Sequence, residues 1–195
     1  MPSIETHGLT LDARPDRIDF RDLFYRPPLI CLEREYPPPK TIDRYLSEYC
    51  DDGMILDQGK EGACTGFGLA AVINYLHWER RKRLNGAEPP ARVSPRMLYH
   101  MARLYDEWEG EDYEGSSCRG AMKGWHRHGV CSEEFWPYAD RRGRYVQPKE
   151  GWNQDAAERP LGAYYRINKD SLLEMQAAIQ EVHAIYASAK VHEGW

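Results

Sequence analysis

The run from Cys64 to Arg83 constrains the fold more than any other part of the chain. Leu69, Val72, Ile73, Leu76 and Arg80 recur at helical spacing, and Phe67, Ala70, Ala71 and Asn74 widen the apolar side. A helix with so broad an apolar face is heavily buried, so the core must be built around it. Asn85-Gly86 supplies its stop. With 195 residues the chain can form one domain with a sizeable core, or a lobe and part of another.

The glycine-rich stretch before this helix carries the chemistry. DQGKEGACTGFG, residues 57–68, sets Cys64 at the helix N-terminus. Unpaired N–H groups and the positive end of the helix dipole stabilise a thiolate there. Gly59, Gly62, Gly66 and Gly68 remove side chains around the thiol, and Gly62 and Ala63 directly before it are candidate substrate-contacting positions. Gln58 lies across the turn, where its amide could join the Cys64 N–H in holding an oxyanion. The same pattern also fits a small buried cysteine beside an ordinary glycine turn, and local residues alone leave both readings open.

Further helices follow. Ser94-Pro95 is an N-cap with proline at the first helical position, and Met97, Leu98, Met101, Leu104 and Tyr105 continue the period. A third helix is expected over about Arg119–Arg127, ending at Gly129, with Met122 in the core. NKDSLLEMQAAIQEV reads as a capped amphipathic helix with Leu172, Leu173, Ala177 and Ile179 inward. Strands are expected around Tyr164–Ile167 and over Ala184–Val191. Residues 1–50 are polar and rich in proline, so they read as extended chain on a surface, anchored by Ile18, Phe20, Leu23, Phe24 and Tyr25.

Residues DQGKEGACTGF resemble the nucleophile segment of papain-family cysteine peptidases. SPRMLYHMARLY and SSCRGAMKGWHRHGVCSEEFWPY are similar to that family's second helix and to its third helix with the Pro-Tyr turn that follows. DRIDFRD, near Asp16, resembles the opening segment of a bacterial branch. The ordered match covers roughly residues 12–195. It implies an α+β, papain-like fold, mainly the helical left lobe plus the first strands of the right-lobe sheet. Residues 1–50 would be an N-terminal segment on or near the lobe, 51–160 the helical lobe, and 161–195 an incomplete start of the β-rich lobe.

The resemblance further implies a cysteine-type peptidase with Cys64 as nucleophile and Gln58 as oxyanion donor. Ser116, Ser117, Cys118 and Arg119 would fall near the pocket for the substrate's second residue. Secreted members pair a cysteine three residues before the nucleophile with one near the third helix. Glu61 occupies the first of these positions, which leaves Cys118 without that partner, and Thr65 replaces the aromatic that commonly follows the nucleophile.

Such an enzyme needs a histidine base oriented by an asparagine, about 130–150 residues beyond the cysteine. That window opens where the sequence stops. His183 and His192 are the late histidines: the first precedes the wrong strand, and the second is followed by Glu-Gly-Trp. No NSWG-like segment is present, so the base is expected from a complementary C-terminal half or a second chain. Alternatives are a catalytically incomplete module acting in binding or regulation, or a cysteine acyltransferase or amidase. Without its sheet, the last strand would leave an open edge prone to association.

Composition narrows the remaining classes. The net charge of −5 with interspersed signs argues against nucleic-acid binding, and Arg80–Arg83 reads as cations at a helix C-terminus. No run is long enough to span a bilayer and no signal-peptide core opens the chain, so a soluble, cytoplasmic protein is expected. Five irregularly spaced cysteines (31, 50, 64, 118 and 131) give neither a disulfide framework nor a CxxC zinc site. His77 and His100 read as packing residues, and His126 and His128 stand two apart, off the i, i+4 ligand spacing. No metal or cofactor is expected; the partner is a protein or peptide substrate.

Overall fold

The computed structural model describes residues 4–6, 9–28, 39–86, 91–108 and 113–190. Cys31 and His192 lie outside them. In chain order the elements are β1 (Ile4–Thr6), β2 (Leu9–Leu11), α1 (Pro39–Asp51), α2 (Cys64–Arg83), α3 (Pro95–Leu104), α4 (Cys118–His128), α5 (Trp152–Ala157) and α6 (Leu172–Val182). None of these helices is long and apolar enough to cross a membrane.

Helix α2 forms over the span its apolar period predicts and ends at Arg83, just before Asn85, whose φ of 53° is the left-handed turn expected of Asn-Gly. Leu69, Ala70 and Ile73 from α2 meet Met97, Leu98, Met101 and Ala102 from α3, with Ala121 of α4, Val130 and Trp136 completing the core. A smaller cluster of Ala63, Phe67 and Tyr99 lies beneath the N-terminus of α2. The α2–α3 crossing is tight at Gly66, where a Cβ would stand 2.6 Å from the Tyr99 backbone nitrogen and 2.8 Å from the Pro95 carbonyl oxygen.

Serine caps fix the helix starts. The Ser94 hydroxyl accepts from the Met97 amide at 3.0 Å, the Ser117 hydroxyl from Gly120 at 3.1 Å, and the Ser171 hydroxyl from Glu174 at 3.2 Å. The cationic end of α2 meets α1 and the turn after it: Arg81 and Lys82 reach Asp52, and Lys82 also reaches Glu48.

Four expectations are corrected. The N-terminal region is not extended throughout: β1 and β2 pair as an antiparallel ribbon, and α1 forms from Pro39. Pro39 is the first residue of that helix, a position where its missing N–H costs nothing. Tyr45 and Tyr49 of α1 then pack edge-on against Trp78. Second, of the residues expected to anchor the N-terminal region, Ile18, Phe20, Leu23 and Phe24 point outward, Ile18 88% and Phe20 100% exposed, whereas the Tyr25 hydroxyl donates to Glu181 of α6 at 2.9 Å.

Third, the two late strands do not form as ladders. Around Tyr164–Ile167 there is one parallel bridge, Phe24 to Arg166. Residues 184–190 pair with no strand among the described residues. A strand exists only against a partner, and alternation in one sequence segment cannot supply one. The predicted open strand edge is therefore not built. Fourth, Leu172 and Leu173 are 69% and 61% exposed, whereas Ala177 and Ala178 of the same helix are buried. Helix α5 is an element the sequence reading lacked.

Candidate active site

Cys64 is the first residue of α2. Its N-cap, Ala63, has no side chain able to take up the free amides of the first turn. The backbone N–H groups of Asp12, Thr65 and Cys64 favour the thiolate. Burial nevertheless dominates and pushes the Cys64 thiol above its ordinary range, with the nearby Asp12 carboxylate adding to the rise. The expected low thiol pKa is therefore not the state of this site. The helix-end donors are present, but a cover over the sulfur outweighs them.

Asp12 of the chain's own N-terminal region contributes to that cover together with Tyr186 and Cys118, and residues 12–25 continue from it as a strap. Asp12 is buried, and its carbonyl lies so close to Gly115 that any side chain there would collide. The Arg14 amide donates to the Ser116 carbonyl at 3.1 Å, and the strap pairs in parallel with Ser117. Asp16 accepts from the Arg119 amide at 2.9 Å, at the first turn of α4. Arg119, nearly inaccessible, ties Glu107 of the lobe to Asp22 and the Arg17 carbonyl of the strap. The Tyr25 amide then donates to the Arg166 carbonyl at 2.9 Å. Polar pairing holds the strap, which explains how its apolar side chains can face out.

The turn before Cys64 is held separately. Gly59, at φ 63°, closes a turn in which its amide donates to Asp57 at 2.8 Å. Gln58 donates through Nε2 to the Glu61 carbonyl at 3.1 Å, and its own carbonyl accepts from the Tyr138 hydroxyl at 3.1 Å. Glu61 receives both Arg96 Nη atoms, at 2.8 and 2.7 Å, plus the Tyr138 hydroxyl at 2.6 Å. The Arg96 guanidinium stacks on Tyr138 at 4.2 Å from the ring centroid, with Tyr99 and Tyr145 further out. Burial pushes Glu61 up, but the Arg96 and Tyr138 hydrogen bonds outweigh it and hold the carboxyl below its usual value. The charged residue standing where secreted papain-family members are expected to carry a cysteine thus forms a clasp between the turn and α3.

The segments carrying the sequence-derived positions converge. The Gly62 amide approaches Glu114 at 3.4 Å, and the Thr65 and Ser116 hydroxyls share a hydrogen bond of 2.5 Å. The N-termini of α2 and α4, each opening on a cysteine, are thereby pinned together. Cys118 is a free thiol, as are Cys50, Cys64 and Cys131. Burial pushes the Cys118 thiol up, with Tyr186 and Ser188 acting the other way. Ala63, Ser116 and Ser117 are buried; Ser117 serves as a helix cap and Arg119 as an ion-pair hub.

Tyr186, absent from the sequence-derived site, donates to the Thr65 carbonyl at 2.8 Å and lies against Gly68. Its place in a segment read only as a strand gave no hint of this. Asp12 carried no sequence signal either. Glu61 did: a carboxylate inside a glycine turn needs a cationic partner.

No histidine hydrogen-bonds or ion-pairs with Cys64 among the described residues. His183 pairs with Glu79 at 3.4 Å. Fifteen residues of helix separate Glu79 from Cys64, about 22 Å at the usual rise, so His183 is not the base in this arrangement. His126 contacts the Leu161 and Gly162 carbonyls, and His128 the Tyr105 hydroxyl. A cavity of about 310 Å³ lies behind the turn, lined by Leu56, Phe67, Pro95 and Tyr138 among others, and does not reach Cys64. No cluster of metal-binding side chains occurs among the described residues.

No protein-family profile matches the chain, and no curated protein matches it. Solved structures do. Xylellain, a cysteine protease from Xylella fastidiosa, superposes with a TM-score of 0.62 at 24% identity, over 87% of this chain and 62% of that one. Digestive procathepsin L 3 of Tenebrio molitor larval midgut gives a TM-score of 0.46 at 21% identity, over 64% of this chain and 36% of that one. The chain thus shares the fold of xylellain while spanning less than two thirds of that protein's length.

Proposed function

We propose that this chain is the nucleophile-bearing portion of a papain-like cysteine peptidase, an α+β domain whose β-rich lobe is supplied by a complementary C-terminal segment or a second chain. The observation that carries the reading is the meeting of Cys64 with an extended peptide segment. Backbone N–H groups at a helix end face the sulfur, and the strap lies against it with its backbone paired to Ser116. A groove that holds extended backbone beside a thiol can present a peptide carbonyl to that thiol.

In the proposed reaction a histidine from a complementary segment or second chain takes the Cys64 proton. The sulfur bonds to the substrate carbonyl carbon, and the oxyanion is held by the Cys64 amide and Gln58. The C–N bond then breaks as the amine takes the proton back. Water, deprotonated by the same histidine, displaces the sulfur and frees the acid. The strap keeps the groove closed until it is displaced.

A chemical test is available without the histidine. In the Asp16→Ala/Asp22→Ala chain, whose strap is loosened, a peptidyl epoxide should modify Cys64 well ahead of the exposed Cys50. Equal or slower modification of Cys64 contradicts the reading. The raised thiol pKa and the lack of a histidine contact to Cys64 among the described residues favour a second reading, a non-catalytic binding module. It predicts that result, together with no cysteine-dependent hydrolysis when the chain is combined with any complementary segment.

A further inference from the structure

The loop between α3 and α4 grips the strap's arginines in a repeated way. The Arg14 guanidinium carbon lies 4.4 Å from the Tyr113 ring centroid, and that of Arg17 lies 4.3 Å from the Trp108 ring. Arg14 is also within 6.0 Å of Trp108 and pairs with its neighbour Asp12 at 3.5 Å. The backbone between the two arginines is read by the same loop. The Trp108 indole N–H donates to the Pro15 carbonyl at 3.2 Å, and the Arg17 amide donates to Glu107 at 2.9 Å. The Arg14 amide donates to Ser116. The Tyr113 hydroxyl donates to Asp106, whose other oxygen accepts from the Ser117 amide at 3.0 Å, so that ring is tied to the start of α4. Two aromatic faces are thus set for two guanidinium groups three residues apart, with backbone hydrogen bonds fixing the register.

Flat guanidinium groups stack on aromatic rings better than ammonium groups, and neighbouring carboxylates strengthen the preference for a cation. We infer that Trp108 and Tyr113, with the Ser116 carbonyl and Glu107, form a recognition site for extended peptides of the class Arg-x-x-Arg, which the strap occupies in this structure. The inference rests on the proposed peptide groove beside Cys64 and adds its selectivity. A tethered strap competes at high effective concentration, so an external peptide binds only where the strap's own arginines are removed.

The test uses the full chain carrying Arg14→Ala and Arg17→Ala, with Asp16→Ala and Asp22→Ala to loosen the strap and Cys64→Ser so that no thiol chemistry enters. A fluorescein-labelled peptide with the sequence of residues 11–18 is titrated by polarisation. It is compared with the same peptide carrying citrulline in place of both arginines. The arginine peptide should bind at least about tenfold more tightly, as loss of two stacked cations requires. A Trp108→Ala change in that background should remove most of the difference. Binding of the two peptides within about twofold of each other, or binding of neither, overturns the inference. Far-ultraviolet circular dichroism matching that of the unaltered chain shows that the variant is folded, so neither result can be put down to misfolding. Rapid labelling of Cys64 by a peptidyl epoxide, together with no arginine preference, would leave the peptidase reading standing and remove this one alone.

Discussion

The backbone N–H of Asp12 favours the thiolate of Cys64, while burial and the Asp12 carboxylate push the thiol pKa up. One residue therefore supplies both a dipole that favours the thiolate and a charge that opposes it. The balance has a sign. An acid whose pKa is raised is less ionised at a given pH, so a closed strap leaves little thiolate near neutrality.

Loosening the strap should reverse that balance. In the Asp16→Ala/Asp22→Ala chain the iodoacetamide rate of Cys64, followed against pH, should show a midpoint below that of the unaltered chain. At pH 7.5 the rate should rise, because the lower midpoint gives a larger thiolate fraction. An unchanged profile would mean that the strap does not control the thiol.

The Glu61–Arg96 clasp makes a stability prediction. Arg96→Met removes three charge-assisted hydrogen bonds, two to Glu61 and one to the Tyr138 carbonyl, and a guanidinium stacked on tyrosine, and should cost about 2–3 kcal/mol in urea unfolding, less than a fully buried pair because Glu61 is partly exposed. The pH dependence follows from the lowered Glu61 pKa. The pair's contribution is fully present above the unfolded carboxylate pKa and is lost as pH falls through the lower folded value. The Glu61→Gln chain should therefore lose less stability than the unaltered chain on acidification below about pH 4.5.

Gly66→Ala is expected to be costly although alanine favours helix. Its methyl group would collide with backbone atoms of Tyr99 and Pro95, which cannot move aside as a flexible side chain can. A loss of about 2–3 kcal/mol is expected, read by chemical denaturation.

Local rules made the helical part of this fold legible. The period of Leu69 to Arg80, the Ser94-Pro95 cap and Gly129 as a stop are short-range signals, and α2, α3 and α4 form where these place them. Pro39 also carried such a signal, hidden by the prolines before it. What sequence could not convey was pairing between distant segments. The Tyr164–Ile167 and Ala184–Val191 segments have strand composition, yet a strand needs a neighbour. Likewise nothing in residues 12–17 marks them as the cover of Cys64, since that contact is a property of tertiary packing. Cys64 and the glycine turn were readable as a candidate site, whereas the masking of the thiol and the roles of Asp12 and Tyr186 were not.

The most direct measurement is site-resolved labelling of the strap-loosened Asp16→Ala/Asp22→Ala chain with a peptidyl epoxide, quantified by mass spectrometry at Cys64 and Cys50. If Cys64 belongs to a peptide-binding nucleophile site, it is modified many times faster than Cys50, and an excess of unlabelled peptide slows it selectively. Modification of Cys64 no faster than Cys50, or indifferent to added peptide, would contradict the account.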